Sequence, residues 1–320
     1  MINKLNILKL AVATKPLIPV MSFIDIYTDE DGVRRMQANN GRLCMDTPVE
    51  FPFDVTVRAD KFIRAVKLCK KEMKCKITAK GKLSISSGKF RAIVETSLDK
   101  FPRLPLTQGQ ICGPAEYIPS ICKVLLPFVS QDASRPWSRS ILFKNGYAYA
   151  TNNIIIARVP CGKIPDCVIP AYAVEVLSVL GANPTAYAVE DNYLGFYFEG
   201  GSWIRTCIID APWPDVEAMI IPTENTTPLP DGLLNTINDL MPFCHDAKNP
   251  VMYMSPEGIH TGAEDYGAGF QTGGYHDSKF RAEMLALLSS VATHVDFTTY
   301  PKPCYFKGGY DLDGIIMGVR

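Results

Sequence analysis

Tyr147–Pro160 reads YAYATNNIIIARVP, and its centre, ATNN followed by three isoleucines, has a counterpart on either side of it in the chain. Upstream, Gly32 is followed by VRRMQANNGRLCM, which places Asn39 and Asn40 just past a strand-like run. Downstream, Gly258 is followed by IHTGAEDYGAGF, which places Glu264 and Asp265 in the same position. Each copy has an apolar strand (FIDIY, ILF, VMYM), a turn containing Gly (DEDG, KNG, SPEG), a second strand and a short polar pair. Strand runs joined by such turns are hairpins. A hairpin that returns in one frame marks an internal repeat.

The rest of the unit repeats as well. VRADKFIRAVKLCKK, from Val57, puts Phe62, Ile63, Val66 and Cys69 on one side of a helix and leads into CKITAKGKLSISSGKFRAIVETSLDKFP, which alternates as strands do. IPAYAVEVLSVLGA leads into AYAVEDNYLGFYFEGGSWIRTCIIDAPWP in the same way, and both copies close on aromatic-Pro, Phe101-Pro102 and Trp213-Pro214. The third copy is looser: HDSKFRAEMLALLSSV, then VDFTTYPKPCYFKGGYDLDGIIMGVR. A helix opens each unit: LNILKLAVATK, EYIPSICKVLLPFVS and DGLLNTINDLMPFCH. The period of about 105 to 112 residues exceeds that of solenoid repeats, so each unit is expected to be a domain with its own core. The boundaries fall in the Pro-, Thr- and Gly-rich stretches Leu104 to Gly109 and Pro222 to Pro228, giving domains 1–105, 106–224 and 225–320. Two helices beside antiparallel strands make each an α+β unit.

At 320 residues and 47% hydrophobic content the chain can fill one large core or two to three ordinary ones, and the repeat favours three. No stretch combines a basic start with a long apolar core, and VIPAYAVEVLSVLGA is interrupted by Glu175, so a soluble, intracellular protein without membrane association is expected. Ten cysteines contain no CxxC, the closest pairs being Cys69 with Cys75 and Cys161 with Cys167; reduced core thiols are expected, with no metal and no cofactor. Net charge is zero, yet residues 1–105 carry 20 Lys and Arg against 11 Asp and Glu, while the remainder carries 13 against 22. Charge sorted in this way either presents a basic surface to one partner or forms a Lys-rich solvated face. His245, His260, His276 and His294 are scattered, and GxSxG, HExxH, GxGxxG and phosphate-loop motifs are lacking, so no catalytic activity is expected.

Three such units resemble the bacterial sliding clamp, the beta subunit of DNA polymerase III. The similarity is carried by ADKFIRAVKL through DKFP, by SILFKNGYAYATNNIIIARVP, by WPDVEAMI and by the tail IIMGVR. Where the family has ATDGHRLA, this chain has ATNNIIIA, the mark of a divergent and phage-type member. The resemblance implies three clamp domains per chain and a head-to-tail homodimer whose six domains close a ring around duplex DNA. Such a ring serves as a processivity factor that tethers a replicative DNA polymerase and is placed by a clamp loader, in the cytoplasm of a bacterial cell, phage-infected or not. The rival expectation is a triplicated protein-binding module that forms no ring and encircles no DNA.

Site residues follow from the same resemblance. In the second helix Arg64, Lys67 and Lys71 fall at i, i+3 and i+7, opposite the apolar face, with Lys70 and Lys74 beside them. The family picture turns this face toward the DNA, with Lys4 and Lys9 of the first helix as further cations. Lys15, Arg135 with Trp137 and Arg139, and Lys248 resemble the clamp loops at the rim of the channel; Ala171 and Tyr172 stand where family members often carry a basic residue. The partner-peptide pocket of the family maps onto Thr151, Asn153, Ile154, Ile155, Ile156, Pro214, Met219, Ile315, Met317, Gly318, Val319 and Arg320. Since neighbours on a strand face opposite sides, at least one of Ile154 to Ile156 is expected in the core.

Overall fold

The computed structural model describes residues 2–106, 111–113, 115, 117–132, 134–162, 164–262, 267–271 and 274–319. Gly109 of the first boundary, Glu264 and Asp265 of the third copy, and Arg320 lie outside them. The chain gathers into two compact units, residues 1–119 with 175–209 and residues 120–174 with 210–320.

The helices form where the apolar periodicity requires them. Strand Val55–Arg58 runs directly into helix Ala59–Leu68, which buries Phe62, Ile63, Ala65 and Val66 on one face. Asp60 in its first turn and Lys67 in its last complement the helix dipole. The helix stops at Leu68 because Cys69 turns extended and donates its N–H to the Val66 carbonyl. The opening helices are Ile2–Leu8, Ile118–Leu125 and Leu233–Leu240; Ala171–Ser178 and Ala282–Val291 each follow a strand, and Val216–Met219 is a single short turn of helix.

Every strand pair among the described residues is antiparallel. In the first unit a nine-stranded sheet runs in the order Thr96–Ser97, Val55–Arg58, Phe23–Thr28, Arg34–Asn39, Leu43–Pro48, Trp203–Cys207, Tyr193–Tyr197, Ala186–Glu190, Ile111–Cys112, beside a three-stranded sheet of Lys74–Ile77, Leu83–Ser87 and Phe90–Val94. In the second unit an eight-stranded sheet runs Cys167–Pro170, Ser140–Lys144, Tyr147–Thr151, Ile155–Pro160, Asp313–Ile316, Cys304–Gly308, Ala292–Val295, Thr227–Pro228, beside a four-stranded sheet of Gly269–Phe270, Gly258–His260, Val251–Ser255 and Ser278–Arg281. Each large sheet contains a seam where strands far apart in sequence meet. Leu43–Pro48 pairs with Trp203–Cys207, placing Cys44 opposite Arg205 and Met45 opposite Ile204. Ile155–Pro160 pairs with Asp313–Ile316, placing Ile156 opposite Ile315 and Arg158 opposite Asp313.

The repeated polar pair has one geometry in both described copies. The Asn40 side-chain oxygen accepts the N–H groups of Arg42 and Leu43, and that of Asn152 accepts those of Ile154 and Ile155. In both, the Asn backbone N–H also bonds the carbonyl three residues on. Asn supplies this local acceptor without a Gly-only backbone, which is why it returns at both turns.

The second seam is packed to contact. A Cβ at Gly314 would collide with the Ile156 carbonyl and the Phe306 ring. Gly314→Ala is therefore expected to lower stability by about 1–3 kcal/mol, the ordinary cost of overpacking, seen as a reduced urea midpoint.

Candidate partner pocket and nucleic-acid interface

The superposable Asn turns align Leu43 with Ile155, Cys44 with Ile156 and Asp46 with Arg158, so the two seams can be compared residue by residue. At the first seam the face carrying Cys44 and Arg205 is covered by the segment that leaves the first copy. Gln37 donates to the Leu104 carbonyl at 3.0 Å and accepts the Leu104 N–H at 2.8 Å. Asn39 donates to the Pro102 carbonyl at 3.0 Å, and Arg205 to that of Pro105 at 3.3 Å. Arg103 holds the strap further along by pairing with the buried Asp25 and lying 4.2 Å over the Tyr27 ring. Cys44 is accordingly fully buried, and burial raises its thiol pKa well above the usual value.

At the second seam the corresponding Ile156 is half-exposed. Its strand neighbour across the seam, Ile315, is buried, and two residues on Met317 is again half-exposed, with its N–H bonded to the Ile154 carbonyl at 2.9 Å. The chain end is fixed from behind: the Val319 N–H meets the Lys279 carbonyl at 2.7 Å, and the Tyr300 hydroxyl donates to the Val319 carbonyl at 2.6 Å. Gly318 has no room for a side chain, because a Cβ would enter the Tyr300 ring. Ile154, Ile156, Met317 and Val319 thus form a partly exposed apolar strip around the seam. Pro214 is half-exposed and Met219 is 46% exposed. Their segment is pinned to the Tyr147 hairpin by Trp213 Nε1 donating to Ser140 Oγ at 3.2 Å and by Asn145 Nδ2 donating to Glu217 Oε2 at 3.1 Å.

Two pocket positions are corrected. Ile155 is fully buried, and its neighbours Ile154 and Ile156 are not, as alternation requires. Thr151 is also buried and spends its hydroxyl locally, donating to the Ile155 carbonyl at 2.7 Å and accepting the Asn153 N–H at 3.0 Å. Both support the wall and neither lines it. Asn153 remains half-exposed in a left-handed conformation, its side-chain oxygen accepting from Arg135 at 3.0 Å.

Sequence reasoning missed a polar group beside this strip. Arg158 and Asp313 form a bidentate pair at 2.8 and 2.9 Å across the seam, the Tyr305 hydroxyl donates to Asp313 at 2.9 Å, and Arg158 lies 4.8 Å over the Tyr147 ring. Burial and the adjacent Asp313 push the Tyr305 hydroxyl up to about 12. Alternation alone would have set Arg158 on the face of Ile156; its partner, 155 residues away in sequence, carries no local signal.

Among the candidate nucleic-acid contacts, Arg64, Lys67, Lys70, Lys71 and Lys74 are all exposed, and no carboxylate among the described residues lies within ion-pair distance of them. The helical spacing holds only for Arg64 and Lys67. Lys71 lies past the helix end and is placed instead by the neighbouring hairpin, its N–H bonding Ser87 Oγ at 3.0 Å and its carbonyl accepting from the same hydroxyl at 2.8 Å. Lys74 opens a strand. Lys15, Arg135, Arg139 and Lys248 are exposed. Trp137 is half-buried against Trp213, with ring centroids 5.5 Å apart. The helix Ala171–Ser178 bears no cation.

No residue cluster with metal-ligand geometry occurs among the described residues, and no helix among them is long and apolar enough to cross a membrane.

No family model and no curated protein sequence matches the chain. Solved structures do. The DNA polymerase III beta subunit of Thermotoga maritima aligns with a TM-score of 0.84 at 14% identity, covering 100% of this chain and 96% of that one. The DNA polymerase sliding clamp of Bacillus subtilis aligns with 0.82 at 16% identity, and the griselimycin-bound sliding clamp of Bartonella birtlesii with the same two values; each covers 100% of this chain and 96% of that one. The class is therefore settled at the level of architecture: an α+β chain of antiparallel sheets and short helices with the full-length fold of the sliding clamps. The particular fold is that of the bacterial DNA polymerase III beta subunit, carried by a sequence far diverged from those it resembles.

Proposed function

We propose that this chain is a DNA sliding clamp, a non-catalytic processivity factor that closes around duplex DNA as a homodimer and tethers a DNA polymerase. The observation that carries this is the end-to-end likeness to clamp structures, joined to a set of exposed, unpaired cations in the more basic part of the chain. The three copies of the repeat correspond to domains 1–105, 106–224 and 225–320, and two chains supply the six domains of a ring. Strand edges support the closure. Phe90–Val94 ends the three-stranded sheet and Gly269–Phe270 the four-stranded one, each with one strand neighbour among the described residues; Ile93 is 58% and Phe270 44% exposed. Pairing these edges between two copies would add two further seams like those within the chain and leave fewer strand edges open.

DNA contact falls to Arg64, Lys67, Lys70, Lys71 and Lys74, with Lys15, Arg135, Trp137, Arg139 and Lys248 at the rim. These are phosphate-binding types that hold any sequence alike, which sliding requires. Polymerase and clamp loader are the partners of the strip formed by Ile154, Ile156, Met317 and Val319 with Asn153, Pro214, Met219, Gly318 and Arg320. The setting is the bacterial cytoplasm, with a phage-encoded origin fitting the divergence. Sedimentation equilibrium tests the closure: the mass should be about twice the 35.4 kDa of the chain. A strict monomer at micromolar concentration would favour a non-ring binding module, and a trimer would exclude the three-plus-three arrangement.

A further inference from the structure

The first seam, whose pocket-equivalent face is strapped over, carries a cavity on its other face. Along Leu43–Pro48 successive side chains point to opposite sides, so Cys44 and Asp46 belong to the strapped face and Met45 and Thr47 to the reverse. There Met45 and its register partner Ile204 line a cavity of about 210 Å³, with Ile7 and Leu8 of the first helix, Leu180, Phe198 and Trp203 among its other apolar walls. All belong to the first compact unit.

The polar groups around it are largely spent. The Asp46 carboxylate is held by Tyr27 at 2.9 Å, Gln37 at 3.1 Å and Arg35 at 2.5 Å. The Lys4 ammonium donates to the Pro48 carbonyl at 2.9 Å. Glu199 stands exposed at the edge, where water solvates it. The exception is a hydroxyl pair, Thr47 Oγ1 and Ser202 Oγ, 2.7 Å apart. Thr47 Oγ1 also lies 3.4 Å from the Pro48 carbonyl, and either hydroxyl can be the donor within the pair. Whichever donates, the two oxygens keep lone pairs that can accept from a ligand.

We propose that this cavity is a binding site for a neutral aromatic ring bearing one hydrogen-bond donor, a phenol or an indole, either free or carried on the Tyr or Trp of a peptide. Size sets the ring: an apolar cavity of ~150 Å³ takes benzene, and the larger volume here leaves room for a substituent. Apolar walls select a neutral ring, since a charged group would lose its hydration against them, and the two charges of the lining, Lys4 and Glu199, are exposed to water at the rim. The lone pairs of Thr47 and Ser202 can accept from a donor on the ring. None of this depends on the proposed clamp function, because the apolar walls and the hydroxyl pair lie outside the partner strip and carry no charge.

The test uses the full-length protein and four probes, p-cresol, indole, toluene and N-acetyl-tyrosinamide, titrated by calorimetry and by ligand-induced shifts in melting temperature. p-Cresol and indole should bind saturably, with toluene about five- to tenfold weaker, the ordinary worth of one hydrogen bond. Ser202→Ala should erase that preference while leaving toluene binding unchanged, and Ile7→Trp, which fills the cavity, should remove binding of all the probes. Binding of N-acetyl-tyrosinamide as tight as that of p-cresol assigns the site to a peptide side chain; binding of p-cresol alone assigns it to a free molecule. No saturable binding at millimolar concentration overturns the proposal. So does a preference for p-cresol that survives Ser202→Ala, which is a small enough change to keep the fold if Ile7→Trp does not.

Discussion

Met317→Asp is expected to abolish polymerase stimulation in primer extension while the protein remains folded and dimeric. The Met317 backbone is fixed by its bond to the Ile154 carbonyl, so the new carboxylate has little freedom to leave the wall. Alternation sets its side chain on the side of Ile315, the residue opposite Ile156. In the free protein this position is half-exposed, and water can solvate the charge, which spares the fold. In the complex an apolar anchor of the partner would cover it. Each such anchor gains roughly 1.5 to 3 kcal/mol from burial, and a carboxylate stripped of water without a partner costs at least as much. Losses of that size at a central contact remove most of a binding energy built on few residues. The proposed dimer edges, Phe90–Val94 and Gly269–Phe270, include none of these residues. A variant that sediments as dimer and still gives full processivity would place the partner site elsewhere.

The seams explain what the sequence could and could not announce. The repeat was legible because its signals are local: an Asn whose side chain caps the next two N–H groups recurs at positions 40 and 152, and its helices have apolar faces visible within a dozen residues. That one of three consecutive isoleucines must be buried was also legible; which one was not. The Asn152 turn decides it by starting the strand at Ile155, and the pairing of Ile156 with Ile315 then fixes the rest. Strand partners drawn from opposite ends of the chain have no such local mark, so the Arg158–Asp313 pair was hidden. The end of the helix at Leu68 was hidden too, because the Lys-rich run continues past it in helical spacing and only the Ser87 hydroxyl, on a separate hairpin, shows where Lys71 is held. The strap of Pro102 to Pro105 accounts for a deeper asymmetry. Both seams begin at the same Asn turn, yet Gln37 and Asn39 bind the strap at one, while at the other the equivalent face leaves Ile156 half-exposed. The shared turn gives both seams the same strand start, and the partners that Gln37 and Asn39 find in the strap decide which face is covered.

Protein loaded on a nicked circle of DNA is expected to remain bound through a salt wash and to be lost when the circle is cut. The reason is topological: a closed ring leaves a circle only by opening, whereas a linear duplex offers two ends. Affinity can then be modest, and the cations serve to centre the duplex and help loading. Arg64, Lys67 and Lys71 are exposed and have no carboxylate partner among the described residues, so their replacement by Ala disturbs no ion pair there and leaves the buried Phe62, Ile63 and Val66 face intact. The triple variant should therefore fold and dimerise, yet load poorly on every sequence alike. The dependence of log K on log salt should flatten by roughly 0.9 for each phosphate contact removed. Retention of the variant on circles, once loaded, should stay near that of the native protein at low salt, because the barrier to escape lies in the ring closure and not in the helix charges. Equal retention of the native protein on circular and linear DNA would mean ordinary groove binding. Sequence-dependent loss in the triple variant would mean that these residues read bases, and either result would remove the clamp as the function of this fold.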